Sequence, residues 1–120
     1  MIAPVNINTK DSIVSLSMGI YDIYVVGGWY VNLGKFHLKL NKTTGNEVIR
    51  PKEVTLKIHS YFKKSRTKKI FSFEINKGGK YKIEFDGQES LILKKQGFIF
   101  GYLFGKQIDF KQIEILIERN

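Results

Sequence analysis

The sequence predicts an all-β domain: an antiparallel β-sandwich or jelly-roll-like fold of about eight or nine strands, with a small β-barrel as the alternative. Three observations carry this. Apolar and polar residues alternate with a period of two along most of the chain, the pattern of strands with one wet face. Glycine and Asn/Asp-Gly turns separate the alternating runs. Helical periodicity is nowhere sustained beyond a short stretch.

Taken in order, Val5–Ile7, Ile13–Met18 and Tyr21–Val26 read as the opening strands. Gly27-Gly28 and Gly34 then punctuate the chain. Lys35–Leu40 sets Phe36, Leu38 and Leu40 against His37 and Lys39, and Thr44-Gly45-Asn46 forms a turn after it. Val54–Phe62 is the clearest run, with Val54, Leu56, Ile58, Ser60 and Phe62 on one face and Thr55, Lys57, His59 and Tyr61 on the other. Lys69–Ile75 places Phe71, Phe73 and Ile75 opposite Ser72, Glu74 and Asn76. Asn76-Lys77-Gly78-Gly79 is a hairpin signal, because glycine reaches positive φ at little strain. Lys80–Phe85 sets Tyr81, Ile83 and Phe85 against Lys82 and Glu84, and Asp86-Gly87 turns again. Leu91–Leu93 is a short strand. Gln112–Glu118 closes the chain, with Ile113, Ile115 and Ile117 opposing Glu114, Leu116 and Glu118. One-sided alternation excludes a doubly wound parallel sheet, whose strands are apolar on both faces. With no internal repeat and no boundary, residues 1–120 read as one domain.

The run Gly79-Lys80-Tyr81-Lys82-Ile83-Glu84-Phe85-Asp86, then Ser90 and a closing β segment at Ile113–Ile117, resembles the C-terminal half of GOLD domains. Those are β-sandwich modules of trafficking and lipid-binding proteins. The likeness lies within residues 79–117, and the cysteine characteristic of such domains is absent here. It implies the fold and transfers no function.

Composition narrows the chemistry. The chain has no cysteine, which removes disulfides, thiolate zinc sites and cysteine nucleophiles. Its beginning, Met1 to Asn6, has neither a basic n-region nor an apolar h-region, and the longest uncharged runs, Ile23–Gly34 and the stretch before Lys106, are too short to span a bilayer as a helix. A soluble protein is expected, with cytoplasmic placement as the default. Twenty Lys and Arg face 11 Asp and Glu, a net charge of +9. Most of the cations are lysine, which suits diffuse attraction to polyanions better than the bidentate reading of bases that arginine favours. Nucleic acid is therefore the less favoured anionic partner.

Three segments are candidates for contact. Lys63, Lys64, Arg66, Lys68 and Lys69 are crowded between two strong strands, where a projecting hairpin tip for an anionic partner is expected. Candidate ligands are lipid headgroups, a polyanion or an acidic protein. Phe98, Phe100, Tyr102 and Phe104 stand among glycines. They form either a core segment or an apolar contact surface, including a homo-oligomer interface. Trp29 and Tyr30 come after a glycine pair and are candidates for stacking on sugar rings. Catalysis is the least expected class. His37 and His59 have no metal-ligand spacing, the serines lack a nucleophile-elbow context, and the pairs Glu84/Asp86 and Glu114/Glu118 read as salted sheet faces rather than acid–base pairs. No cofactor and no metal is expected. The leading expectation is a noncatalytic binding module, with a carbohydrate-binding module or an assembly subunit as alternatives.

Overall fold

The structure is a computed structural model and describes residues 4–27, 30–54, 59–62, 65–94 and 110–120. The described residues form twelve strands and no α-helix: β1 (Val5–Asn6), β2 (Ser12–Leu16), β3 (Gly19–Val26), β4 (Tyr30–Asn32), β5 (His37–Lys42), β6 (Val48–Ile49), β7 (Lys52–Glu53), β8 (His59–Phe62), β9 (Ser65–Ile75), β10 (Gly79–Asp86), β11 (Ile92–Lys94) and β12 (Glu114–Arg119). Short 3-10 turns at Gln88–Ser90 and Phe110–Gln112 precede β11 and β12. All pairings are antiparallel. A six-stranded sheet runs β1-β12-β3-β9-β7, with β8 also pairing β9. A four-stranded sheet runs β2-β10-β5-β6, and β11 pairs β4. The sheets do not close on themselves, so the architecture is a β-sandwich and not the barrel alternative.

The alternation read from the sequence explains the core. Tyr21, Ile23 and Val25 of β3, Phe71, Phe73 and Ile75 of β9, and Ile115 and Ile117 of β12 turn inward from the larger sheet. Val14 and Leu16 of β2, Tyr81 and Ile83 of β10, and Leu38 and Leu40 of β5 are buried with them. Burying each such aliphatic chain is worth about 1.5–3 kcal/mol. The Tyr21 and Phe73 rings stack at 5.4 Å, and Phe36 lies 6.1 Å from Phe71 and 6.2 Å from Phe85, within the range where aromatic pairs attract.

One irregularity matters for the charged surface. The β3–β9 register shifts between Ile23 and Tyr24: Ile23 faces Phe71, but Tyr24 faces Lys69. Ile70 is thus the extra residue of a β-bulge. Both Ile70 and Phe71 are buried, and Lys69 is left on the outer face beside Tyr24 and Asp22.

Two phenols report on packing. Burial, and after it the nearby Asp22 carboxylate, raises the Tyr24 hydroxyl above its ordinary value of 10.0. Burial, and after it the charge and hydrogen bond of Glu47, raises that of Tyr81. Tyr81 also donates to the Lys77 carbonyl at 2.6 Å. A phenol whose folded pKa is raised holds its proton more tightly folded than unfolded. Its stabilisation is complete below pH 10.0 and is lost as pH rises through the raised value. Urea unfolding should therefore show stability falling above pH 10.0, less steeply in Tyr24→Phe. An identical alkaline slope in that variant would contradict the assignment.

Candidate functional site

The basic segment falls at the β8–β9 hairpin. β8 and β9 pair with Phe62 opposite Ser65, Tyr61 opposite Arg66 and His59 opposite Lys68. Arg66, Lys68 and Lys69 therefore lie in strand β9; Lys63 and Lys64 lie outside the described residues. β9 pairs β7 and β8 on one side and, from Thr67 to Ile75, β3 on the other. Thr67 is buried there. Lys69 is drawn onto the sheet face, with its Nζ 3.2 Å from Asp22 Oδ1 and its side chain only 19% exposed. Among the described residues Asp22 Oδ1 has no hydrogen bond, so the Lys69 ammonium is what offsets that buried charge.

The other sequence candidates are less visible. Trp29, Phe98, Phe100, Tyr102 and Phe104 lie outside the described residues. Tyr30 opens β4 with its backbone opposite Lys94. The carboxylates of β10 sit in a cross-strand ion ladder on the outer face of the smaller sheet. Glu84 pairs with Lys39 at 3.2 Å, Asp86 with His37 at 3.5 Å, and Lys82 with Asp11 at 2.7 Å. The Asp11 carboxyl is held below its ordinary value by the Lys82 hydrogen bond and charge. Among the described residues, no three His, Asp or Glu side chains come together as metal ligands.

What the sequence does not reveal is a groove at the end of the sandwich where β2 turns into β3 and β9 into β10. It encloses about 680 Å³ and is lined by Ser15, Leu16, Ser17, Tyr21, Gly78, Gly79, Lys80, Ile117 and Arg119. No acid is found among these lining residues. The Arg119 guanidinium donates through Nη1 to Ser17 Oγ at 3.0 Å and through Nη2 to the Met18 carbonyl at 2.9 Å. Tyr21 donates to the Ser17 carbonyl at 2.9 Å. Gly19 makes this possible: a Cβ there would stand 2.9 Å from Arg119 Nε. Lys42 packs over Gly79, with Nζ 3.9 Å from the position a Cβ would take. Gly78-Gly79 is the one sequence signal at this place, and it signals only a turn. The partners Ser17 and Arg119 are more than 100 residues apart, and only the β3–β12 pairing brings them together.

A second groove, of about 470 Å³, gathers Arg50 and Lys52 with the exposed Ile20 and Val48 and a single acid, Glu74. Neither the family models, the curated proteins nor the solved structures contain a match to this chain. No helix among the described residues is long and apolar enough to cross a membrane.

Proposed function

We propose that the protein is a noncatalytic binding module whose partner is anionic. One observation supports the reading above all. Asp11, Asp22, Glu47 and Glu84 are each ion-paired to a lysine. The side chains of Lys42, Arg50, Lys52 and Lys80, by contrast, make no ion pair among the described residues. The chain carries a net charge of +9, and these cations are available to an anionic partner. In this reading Lys63, Lys64, Arg66 and Lys68 make the charge contacts, Arg50 and Lys52 form a separate basic patch further along β9, and Lys69 serves the fold. Phe98, Phe100, Tyr102 and Phe104 supply apolar contact. Charge and apolar contact together are the two-signal logic of attachment to a lipid headgroup surface or other polyanion.

The test is retention on heparin and on vesicles containing anionic lipid. Elution should shift steeply with salt, because each released counterion contributes to the slope. Replacing Lys63, Lys64, Arg66 and Lys68 together by glutamine should weaken binding by about tenfold or more. Retention that ignores both salt and the substitution overturns the proposal.

A further inference from the structure

We infer that the groove lined by Ser15, Ser17, Lys80 and Arg119 is a discrete site for a phosphomonoester, distinct from the diffuse polyanion contacts. It deepens the anionic-partner reading by naming a ligand group, but it rests on different residues.

The argument begins with Arg119. Two of its five N–H donors are spent on Ser17 Oγ and the Met18 carbonyl. Three remain, on a planar fork already held in place. Pre-organisation of that kind removes the ordering entropy that a free arginine loses on binding. Gly19 keeps the guanidinium close to the β2–β3 turn, where a methyl group would displace it. The fork is not neutralised, since its two partners are a hydroxyl and a carbonyl and the residues lining the groove include no acid.

A second cation, Lys80, lines the same groove. Lys80, near the start of β10, is exposed and lies opposite Ser15 of β2, and Lys42 lies over Gly79. The nearby acid Glu47 is already held by Lys77 at 3.4 Å and Tyr81 at 3.4 Å. A phosphate dianion meets two positive charges here, those of Arg119 and Lys80, together with the Ser15 hydroxyl. A volume of about 680 Å³ exceeds what a bare phosphate fills. The organic part of an ester has room along the wall formed by Leu16, Tyr21 and Ile117.

The experiment is an amide NMR titration with inorganic phosphate and with phenyl phosphate, against sodium chloride at matched ionic strength. Saturable shifts are expected at Ser15–Gly19, Gly78–Lys80 and the Arg119 Nε–H, with phenyl phosphate binding at least as tightly as inorganic phosphate. Arg119→Gln should weaken binding about tenfold, the loss of one charge-assisted bidentate contact. Arg119 also ties β12 to the β2–β3 turn. If that variant fails to fold, Lys80→Gln, at an exposed residue lining the groove, carries the test with a loss in the same direction. Shifts that do not saturate, that spread over lysines elsewhere, or that persist in the variants overturn the site. Binding of inorganic phosphate without phenyl phosphate overturns the ester. The glutamine variant at Lys63, Lys64, Arg66 and Lys68 should leave the titration unchanged. Loss of heparin retention and loss of phosphate binding are thus separate results.

Discussion

Lys69→Met is expected to destabilise the protein by about 3 kcal/mol, although the substitution adds apolar surface and removes one of many positive charges. The Lys69 side chain is 19% exposed and that of Asp22 is 8% exposed, with 3.2 Å between Nζ and Oδ1. Removing the ammonium leaves a buried carboxylate oxygen with no hydrogen bond among the described residues. A lost buried pair typically costs about 3–5 kcal/mol, and partial exposure of Lys69 places this one at the lower end. For a domain of this size that corresponds to a fall of roughly 10 °C in Tm. Removing both charges is a different matter. Asp22→Leu with Lys69→Met eliminates the unpaired charge and should recover most of the loss. Urea unfolding of the two singles and the double measures this directly. A single variant within about 0.5 kcal/mol of the parent would show that the pair contributes nothing. Because the double substitution removes one charge of each sign, polyanion retention of the double variant should equal that of the parent.

Gly87→Ala should be comparably damaging, for a steric reason. Gly87 has φ of 72° and ψ of 22°, the left-handed region, where a side chain costs about 1–2 kcal/mol. A Cβ there would also stand 2.6 Å from the Lys35 carbonyl carbon and closer still to its oxygen. The neighbourhood cannot yield easily. Ser90 Oγ donates to the Gly87 carbonyl at 2.8 Å and accepts from the Lys35 amide at 2.7 Å, which locks the two loops together. A loss of about 3 kcal/mol or more is expected. Gly45→Ala is the control, since Gly45 has φ of 90° and none of the described residues comes within 4 Å of an added Cβ. It should lose only the conformational part. Equal losses for the two variants in urea unfolding would refute the close approach at Gly87.

How much of this can be read from the sequence depends on whether neighbours along the strand or neighbours in space set the environment. The period-2 runs of β5, β10 and β12 are legible because each has one buried and one wet face. In β12 the pattern still falls short at Leu116, buried although it alternates with the core residues Ile115 and Ile117. β9 is legible only from Phe71 onward. Counting back by twos from Phe71 puts Lys69 in the core and Ile70 in solvent. The bulge reverses that, and no propensity rule announces a bulge. β4 and β6 escape notice because three apolar-rich residues and two residues within a turn-rich stretch carry too little pattern to register. The Arg119 groove is invisible for a stronger reason. Its hydroxyls, lysine and arginine come from β2 and the turn after it, β10 and β12, and nothing in the spacing of Ser15, Lys80 and Arg119 shows that these strands converge.

The β3–β9 register has a consequence for attachment. It runs from Gly19 against Ile75 to Val26 against Thr67, so the Arg119 groove and the Phe62–Ser65 junction stand at opposite poles, roughly 25 Å apart at the rise of an extended strand. On the two proposals above, the molecule joins its ligands as a bridge and not as a cap. On those proposals two separate ligands are held at once, and linkage between them is governed by avidity and effective concentration more than by the strength of either contact alone.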